Sequence, residues 1–385
     1  MTALRLHTLV TRSLLTMTAG LGLFASAAQP ASNQEPLVLA DQGYFFVGGT
    51  YNEAEGDEGQ SMTGQIFVHF QIPDEQQHPY PIVMIHGGSQ TGTNFMGTPD
   101  GREGWADFFT RKGYAVYVVD QPGRGKSAFN SATYGELSGP STTSSVEQRF
   151  TAPEQFNLWP QAAKHTQWPG TGMAGDPVFD EFFASQVPSI GDGSLMEELN
   201  QDAGAALLDK IGPAIIMTHS QSGPFGWQIA DARPELVKAV VAVEPSGGPF
   251  YNSSVQGGDL ARPWGITSTE LVYEPAVTDP SKLEMVQEDS ADGPGLVRCW
   301  MQAEPARQLV NLQGIPIFIF VAEASYHAQY DHCTARYLEQ AGVENDFVRL
   351  EDVGIRGNGH MIMLEKNNLE VGQLMADWLE ENVQN

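Results

Sequence analysis

The chain has 385 residues and a formal net charge of −27, with 20 basic against 47 acidic residues. This acidic balance repels the phosphate backbone of nucleic acids, so we expect no nucleic-acid partner. The length suits one large domain with insertions rather than several small ones.

The first 28 residues are predicted to be a secretory signal peptide. Arg5 and Arg12 precede an apolar segment at 14–24, and small residues at 25–28 provide a cleavage site. The apolar segment is too short to anchor the chain across a bilayer, which is the alternative. We therefore expect a secreted or periplasmic protein, with no membrane insertion of its mature chain, residues 29–385.

The mature chain alternates strand-like and helix-like segments. The predicted strands are 37–39, 44–47, 64–70, 81–86, 115–120, 214–219, 238–243, 317–322 and 346–350. The predicted helices lie near 103–112, 195–211, 224–232, 328–341 and 367–382, the last with Asn368 as its N-cap. Alternation of this kind predicts an α/β fold with a mostly parallel central sheet and helices on both faces.

Two long segments, about 128–194 and about 246–314, interrupt the alternation. Both are rich in small residues and Pro, yet they carry aromatic residues such as Trp159 and Trp300. Aromatic residues argue against a disordered linker, and long connections in a compact domain are usually functional. We expect the two insertions to fold over the functional edge of the sheet as a cap. Surface elaboration unrelated to a ligand is the alternative.

The end of the strand at 214–219 carries the most informative motif. An apolar run stops abruptly at Ser220, and small residues then lead into the next predicted helix. A serine on a sharp turn between a buried strand and a helix is typical of a nucleophile elbow, although Thr218 and Ser222 replace the usual glycines. We expect Ser220 to be the nucleophile, and Ser222 is the competing register.

Two glycine-rich segments support this interpretation. The strand at 81–86 leads into Gly87-Gly88-Ser89, where glycine lets a backbone N–H approach a substrate oxyanion closely. We expect the oxyanion hole to combine the N–H of Gln221 with that of Gly88 or, alternatively, of Ser89. Near the C-terminus, His360 lies in a glycine-rich loop and is predicted to be the base that takes the serine proton.

The imidazole of such a base needs a carboxylate that fixes its tautomer. Glu323 and Asp331 follow the strand at 317–322, where most α/β-hydrolases carry this acid. We nevertheless predict Glu244, which ends the strand at 238–243 at the carboxyl edge of the sheet, beside the elbow. A buried glutamate needs a partner, and an imidazolium is a suitable one. A glutamate that merely fixes the second insertion is the alternative.

Together these segments resemble the secreted bacterial and fungal α/β-hydrolase esterases known as the esterase 713 group. The resemblance implies carboxylic-ester hydrolysis with Ser220 as nucleophile, His360 as base and Glu244 as acid. Some members carry cysteines where this chain has Gly88-Ser89. The matching segments span most of the mature chain: His86-Gly87-Gly88, 98–105, 111–114, 119–125, 219–223, 243–245, 357–363 and 367–368.

We expect neither a cofactor nor a metal. His327 and His332 flank Asp331, but residues five apart do not share a helix face, so both histidines are predicted to be structural. Gly125-Lys126-Ser127 follows a strand as a phosphate-binding loop does, but Asp120 stands where that motif needs its first glycine. A Gly-x-Gly turn that packs against the sheet is the better interpretation.

The predicted function is that of a serine esterase that works through an acyl-enzyme. The aromatic residues of the two insertions indicate an apolar, partly enclosed pocket, so we expect small to medium esters rather than triglyceride droplets. An acyltransferase or a lactonase on the same fold is one alternative. A non-catalytic ligand-binding relative is another.

Cys299 and Cys333 are the only cysteines of the chain. In an oxidising compartment, a disulfide between them would link the second insertion to the helix near 328–341. We predict this bridge, and two separate buried thiols are the alternative.

Overall fold

The computed structural model of the protein describes residues 35–53, 59–139, 141–253 and 257–383, and the predicted signal peptide at 1–28 lies outside these ranges. The strands are β1 (Leu39–Glu53), β2 (Gln60–Pro73), β3 (Ile82–Ile85), β4 (Val116–Asp120), β5 (Ala214–His219), β6 (Val237–Val243), β7 (Phe250–Tyr251), β8 (Leu260–Arg262), β9 (Met285–Gln287), β10 (Trp300–Gln302), β11 (Ile317–Val321) and β12 (Asp346–Arg349). The α-helices are α1 (Thr93–Met96), α2 (Trp105–Arg111), α3 (Ser131–Tyr134), α4 (Thr143–Val146), α5 (Pro153–Phe156), α6 (Pro177–Ala184), α7 (Gly193–Ile211), α8 (Gly223–Ala232), α9 (Asp331–Gln340) and α10 (Asn368–Asn382). No helix within the described ranges is both long and apolar enough to cross a membrane.

Eight strands form one sheet in the order β1-β2-β4-β3-β5-β6-β11-β12. The six strands from β4 to β12 in this order run parallel, whereas β1 and β2 pair antiparallel at one edge. The central strands β5 and β11 are buried along their whole length, which explains why they are continuous apolar runs. The mostly parallel sheet predicted from the sequence is therefore present.

Alternate side chains of each central strand enter two separate hydrophobic cores. Ile216 of β5 packs in the core that α7 and α8 cover, on one face of the sheet. Its neighbours Ile215 and Met217 pack in the other core, beneath α2 and α10. This alternation follows from the two-residue period of a strand, and it places helices on both faces as predicted.

Two local predictions need correction. The predicted strand at 44–47 is part of the longer strand β1, which pairs with β2 from Leu39 to Glu53, and of the predicted strand at 37–39 only Leu39 belongs to β1. Asn368 is the first residue of α10 rather than its N-cap, and its side chain instead donates to the Glu103 carbonyl and accepts from Arg102. A tertiary contact has replaced the local cap that the sequence favours.

Both insertions are packed rather than extended. In the first, Trp159 is buried and its indole N–H donates to the carbonyl of Ala324, 3.0 Å away. In the second, Tyr251 and Trp300 stack with ring centroids 4.6 Å apart. Cys299 forms a disulfide with Cys333 at the start of α9, so the predicted bridge is confirmed.

Candidate active site

Ser220 lies on a strained turn between β5 and α8. Its φ is +54°, in the left-handed region that costs a non-glycine residue roughly 1–3 kcal/mol. A single 3₁₀ turn, Ser220–Ser222, separates the strand from the helix. This is the geometry expected of a nucleophile elbow, and it leaves Ser220 partly exposed at the carboxyl edge of the sheet.

Ser222, the competing register, has a different environment. Its side chain is completely buried, and its hydroxyl donates to the carbonyl of Ile85 at 2.7 Å. The same hydroxyl accepts the backbone N–H of His219 at 2.8 Å. Ser222 therefore fastens the elbow to the neighbouring strand and is not accessible to a substrate.

Glu244 follows the last residue of β6 and meets His360. Its carboxylate Oε2 accepts the His360 Nδ1–H at 2.5 Å, across 116 residues of sequence. Two further donors hold the carboxylate: the Ala322 N–H at 2.8 Å to Oε1 and the Ser325 hydroxyl at 2.7 Å to Oε2. Glu244 itself has φ +46°, so its backbone is also held in a strained conformation.

The two alternative acids are directed elsewhere. Glu323 accepts the N–H of Gly357 at 3.0 Å and pairs with Lys164 and Arg356, so it fixes the start of the histidine loop. Asp331 is buried and pairs with His327 at 2.9 Å. Of the three candidate carboxylates, Glu244 is the one in contact with His360.

Burial dominates the electrostatics of the Glu244–His360 pair. It raises the pKa of Glu244 to about 7, while the hydrogen bonds from Ala322 and Ser325 act in the opposite direction. Burial, together with the nearby His327, lowers the pKa of His360 well below its ordinary value. The imidazole is therefore neutral at rest, and with the proton on Nδ1, facing Glu244, the other nitrogen Nε2 is a hydrogen-bond acceptor.

The predicted oxyanion turn packs directly against the elbow. A Cβ added to Gly87 would lie 2.9 Å from Nδ1 of His219 and 3.1 Å from Cβ of Ser220, so no larger residue fits there. A Cβ on Gly88 would approach the Gln221 side chain to 3.6 Å. The turn after β3 and the residue after Ser220 thus meet beside the serine.

Arg124 connects these two segments, a role that the sequence analysis missed. This buried side chain donates to the carbonyl of Gly87 at 2.9 Å and to Oε1 of Gln221 at 2.6 Å. Burial lowers the pKa of Arg124 to about 9. The sequence signal for this role is an arginine flanked by glycines directly after a buried strand, a pattern that also fits a turn packed against the sheet.

The loop after β11 supplies two more neighbours, Tyr326 and His327, neither of which was predicted to contribute to the site. The imidazole of His327 stacks on that of His360, with ring centroids 4.6 Å apart and planes 11° apart. The Tyr326 hydroxyl lies 3.4 Å from His360 Nε2. None of the hydrogen bonds among the described residues joins Ser220 directly to His360.

Glu244, His327 and His360 form a cluster of potential metal ligands. A metal lies near the plane of each imidazole that binds it, so ligating histidines converge on one point. The stacked, nearly parallel rings of His327 and His360 do not converge in this way. The cluster therefore suits a buried hydrogen-bonding network better than a metal site.

A cavity with a volume of about 760 Å³ lies elsewhere. Its lining includes Ile317 and Asp346, the first residues of β11 and β12. It therefore opens at the amino edge of the parallel strands, whereas Ser220 and Glu244 lie at the carboxyl edge, where ligands of open α/β sheets bind.

Comparisons with known proteins agree with this fold. A sequence model of a protein family, described as "Alpha/beta hydrolase family", matches residues 82–373 of this chain. The chain is 47% identical over 340 residues to "Probable secreted lipase phiG" of Fungal sp. (strain ATCC 74256), which covers 88% of this chain and 89% of that protein. It also matches a solved structure, "The Atomic Resolution Structure of a Novel Bacterial Esterase", with a TM-score of 0.63 and 25% identity over 92% of this chain and 100% of the other. The chain therefore belongs to the alpha/beta hydrolase family.

Proposed function

We propose that the protein is a secreted serine esterase with Ser220 as nucleophile, His360 as base and Glu244 as acid. The observation that carries the proposal is the 2.5 Å hydrogen bond between Glu244 and His360 at the sheet edge that bears the strained Ser220. The names of a secreted lipase and of a bacterial esterase among its relatives support ester hydrolysis.

In acylation, Ser220 Oγ attacks the ester carbonyl carbon while its proton passes to His360 Nε2. The tetrahedral intermediate collapses as the C–O bond to the alcohol breaks, and Nε2 returns the proton to the alcohol oxygen. Water then repeats the sequence on the acyl-enzyme. The direct Ser220–His360 hydrogen bond forms when the serine side chain rotates on substrate binding, since such contacts tighten in the bound state.

The oxyanion of each intermediate accepts hydrogen bonds from the N–H of Gln221 and from the N–H of Gly88 or Ser89. Both segments lie beside Ser220, and Arg124 holds them together through Gly87 and Gln221. Fixed donors of this kind stabilise the charge that develops in the transition state.

The two insertions form a cap over this edge. Phe150 of the first insertion stacks on His360 with ring centroids 5.4 Å apart, and Trp159 packs on Tyr326 at 5.9 Å. An aromatic wall next to the base favours small to medium apolar esters over the surface of a lipid droplet. A screen of acyl chain lengths tests this preference, and highest rates on long-chain emulsions would contradict it.

Labelling with a fluorophosphonate probe tests the nucleophile, because such probes react with activated serines. We expect modification of Ser220, and loss of both labelling and p-nitrophenyl ester hydrolysis in Ser220→Ala. Ser222→Ala distinguishes the two registers: it should still be labelled at Ser220, but more slowly, because the hydroxyl that fastens the elbow to Ile85 is lost. Absence of label, or label on Ser222, would refute the proposal.

A further inference from the structure

The short loop after β11 contacts both Glu244 and His360 of the proposed triad. Ser325 donates to Glu244, and the next residue, Tyr326, opens a 3₁₀ turn over Tyr326–Gln329. The Tyr326 hydroxyl reaches His360 Nε2 at 3.4 Å, whereas the other ring nitrogen, Nδ1, meets Glu244. The phenol therefore lies beside the nitrogen that would take the serine proton.

Packing fixes the position of this phenol. The Tyr326 side chain is buried, with the indole of Trp159 edge-on to its ring and the imidazole of His327 at a centroid distance of 4.5 Å. Burial raises the pKa of Tyr326 above its usual range. At neutral pH the hydroxyl consequently keeps its proton and is available as a hydrogen-bond donor.

The leaving alcohol must approach the same point. His360 Nε2 can return the proton only if the alcohol oxygen comes within hydrogen-bond distance of that nitrogen. Because the Tyr326 hydroxyl is 3.4 Å from Nε2, an oxygen in that position also lies within reach of the phenol. The phenol thus faces the charge that develops on the alcohol oxygen.

We propose that Tyr326 is a further catalytic residue, whose phenolic O–H donates a hydrogen bond to the leaving alcohol oxygen during acylation. The bond between Ser220 Oγ and the carbonyl carbon forms, and the bond from that carbon to the alcohol oxygen breaks. The alcohol oxygen keeps the electron pair and takes the proton from His360 Nε2, while Tyr326 retains its own proton. This role rests on the proposed esterase function.

Tyr326→Phe tests the role, because it removes the hydroxyl and keeps the ring. We expect kcat/KM for ethyl esters to fall roughly 10- to 100-fold, because a hydrogen bond to a developing charge is lost. For p-nitrophenyl esters of the same acid the loss should stay below about threefold, because that leaving group needs little stabilisation. Equal losses for both esters, or no loss, would overturn the proposal, since a packing role does not depend on the leaving group.

Tyr330→Phe is the matched control. Tyr330 lies near the same turn and is buried, and its hydroxyl has no hydrogen-bond partner among the described residues. Its loss should leave the ratio of ethyl to p-nitrophenyl rates unchanged. If Tyr326→Phe fails to fold, 3-fluorotyrosine at position 326 provides a second test. The more acidic phenol should raise the ethyl-ester rate relative to the p-nitrophenyl rate, and an unchanged ratio would overturn the proposal.

Fluorophosphonate labelling distinguishes a failure of the proposed esterase function from a failure of the proposed role of Tyr326. If the unmodified protein is not labelled at Ser220, the proposed esterase function fails, and the role of Tyr326 fails with it. If Ser220 is labelled but the ester ratio is unchanged in Tyr326→Phe, only the role of Tyr326 is overturned.

Discussion

His165, in the first insertion, donates through Nε2 to Oε1 of Glu365, 2.8 Å away, and through Nδ1 to Glu154, also at 2.8 Å. Glu365 in turn accepts the N–H of Gly359 at 2.8 Å and the side-chain amide of Asn358 at 2.7 Å. An element of the predicted cap therefore holds the loop that carries His360. The sequence alone gave no reason to connect these segments.

The hydrogen bonds of His165 with Glu154 and Glu365 predict that the free energy of unfolding decreases at alkaline pH. Burial lowers the pKa of His165, but the hydrogen bonds and charges of Glu154 and Glu365 outweigh it and raise the pKa from 6.5 to about 9. The stabilisation is thus complete below pH 6.5 and is lost as pH rises through about 9. We expect the free energy of unfolding in urea to fall by about 2–3 kcal/mol across this range. His165→Gln should remove most of that pH dependence, and an unchanged slope in the variant would contradict the assignment.

Substitution of the proposed acid should stop turnover without unfolding the protein. Glu244→Gln keeps the size of the side chain but cannot stabilise an imidazolium, so kcat should fall by a factor on the order of 10³–10⁴. Glu323→Gln and Asp331→Asn are the comparison variants and should lose less than about tenfold, since neither carboxylate contacts His360. Near-normal turnover in Glu244→Gln, with a collapse in either comparison variant, would assign the acid to the loop after β11.

The activity should depend on the ionisation of the Glu244–His360 pair. Because burial raises the pKa of Glu244 to about 7, acidification protonates the pair and removes the acceptor for the imidazole N–H. We expect kcat/KM to be highest above pH 7 and to decline as pH falls through about 7. The measurement is a pH profile with an ester that does not itself titrate. Full activity maintained to pH 5 would contradict this prediction.

Arg124 should act as a positioning residue for the oxyanion hole. In Arg124→Met, the Gly87 carbonyl and the Gln221 side chain lose the guanidinium that donates to both. The turn after β3 and the elbow, which carry the N–H groups of the oxyanion hole, can then move apart. We expect kcat to fall roughly 10- to 100-fold with little change in KM, because small misplacements of donors affect the transition state most. Binding of a trifluoromethyl ketone, which mimics the tetrahedral intermediate, should weaken in parallel.

Arg262→Met is the control for this prediction. Arg262 is also buried but donates to the carbonyl of Gly248 in the second insertion. Equal losses of kcat and inhibitor affinity in both variants would contradict the prediction. Such losses would come from leaving a buried carbonyl without its arginine donor, and not from a change in the oxyanion hole.

The disulfide should contribute to stability rather than to catalysis. Cys299 and Cys333 are separated by 34 positions, and closing a loop of this length stabilises the folded state by about 4 kcal/mol in the chain-entropy model. The double variant Cys299→Ser/Cys333→Ser should lose about this much free energy of unfolding and keep its kcat. Alkylation of the native protein without reductant should modify neither cysteine, and two alkylated thiols would contradict the bridge.

The sequence by itself determined the features that depend on local patterns. The apolar run of β5 ending at Ser220 predicts a buried strand and an elbow, because a continuous apolar run suits a strand covered on both faces. The glycines at 87–88 and the loop around His360 likewise mark where the backbone must approach closely. These signals lie within a few residues, where hydrophobic periodicity and glycine geometry operate.

The sequence favours Glu244 as the acid because it ends the strand beside the elbow, but Glu323 and Asp331 also lie near strand ends at that edge. Only the tertiary structure decided which contacts hold each of the three carboxylates. The order of the sheet places β6 beside β11, so the N–H of Ala322 and the hydroxyl of Ser325 converge on Glu244. The contacts of Tyr326 and Arg124 arise in the same way. They join segments far apart in the chain, and packing of the sheet and insertions, rather than local propensity, brings such segments together.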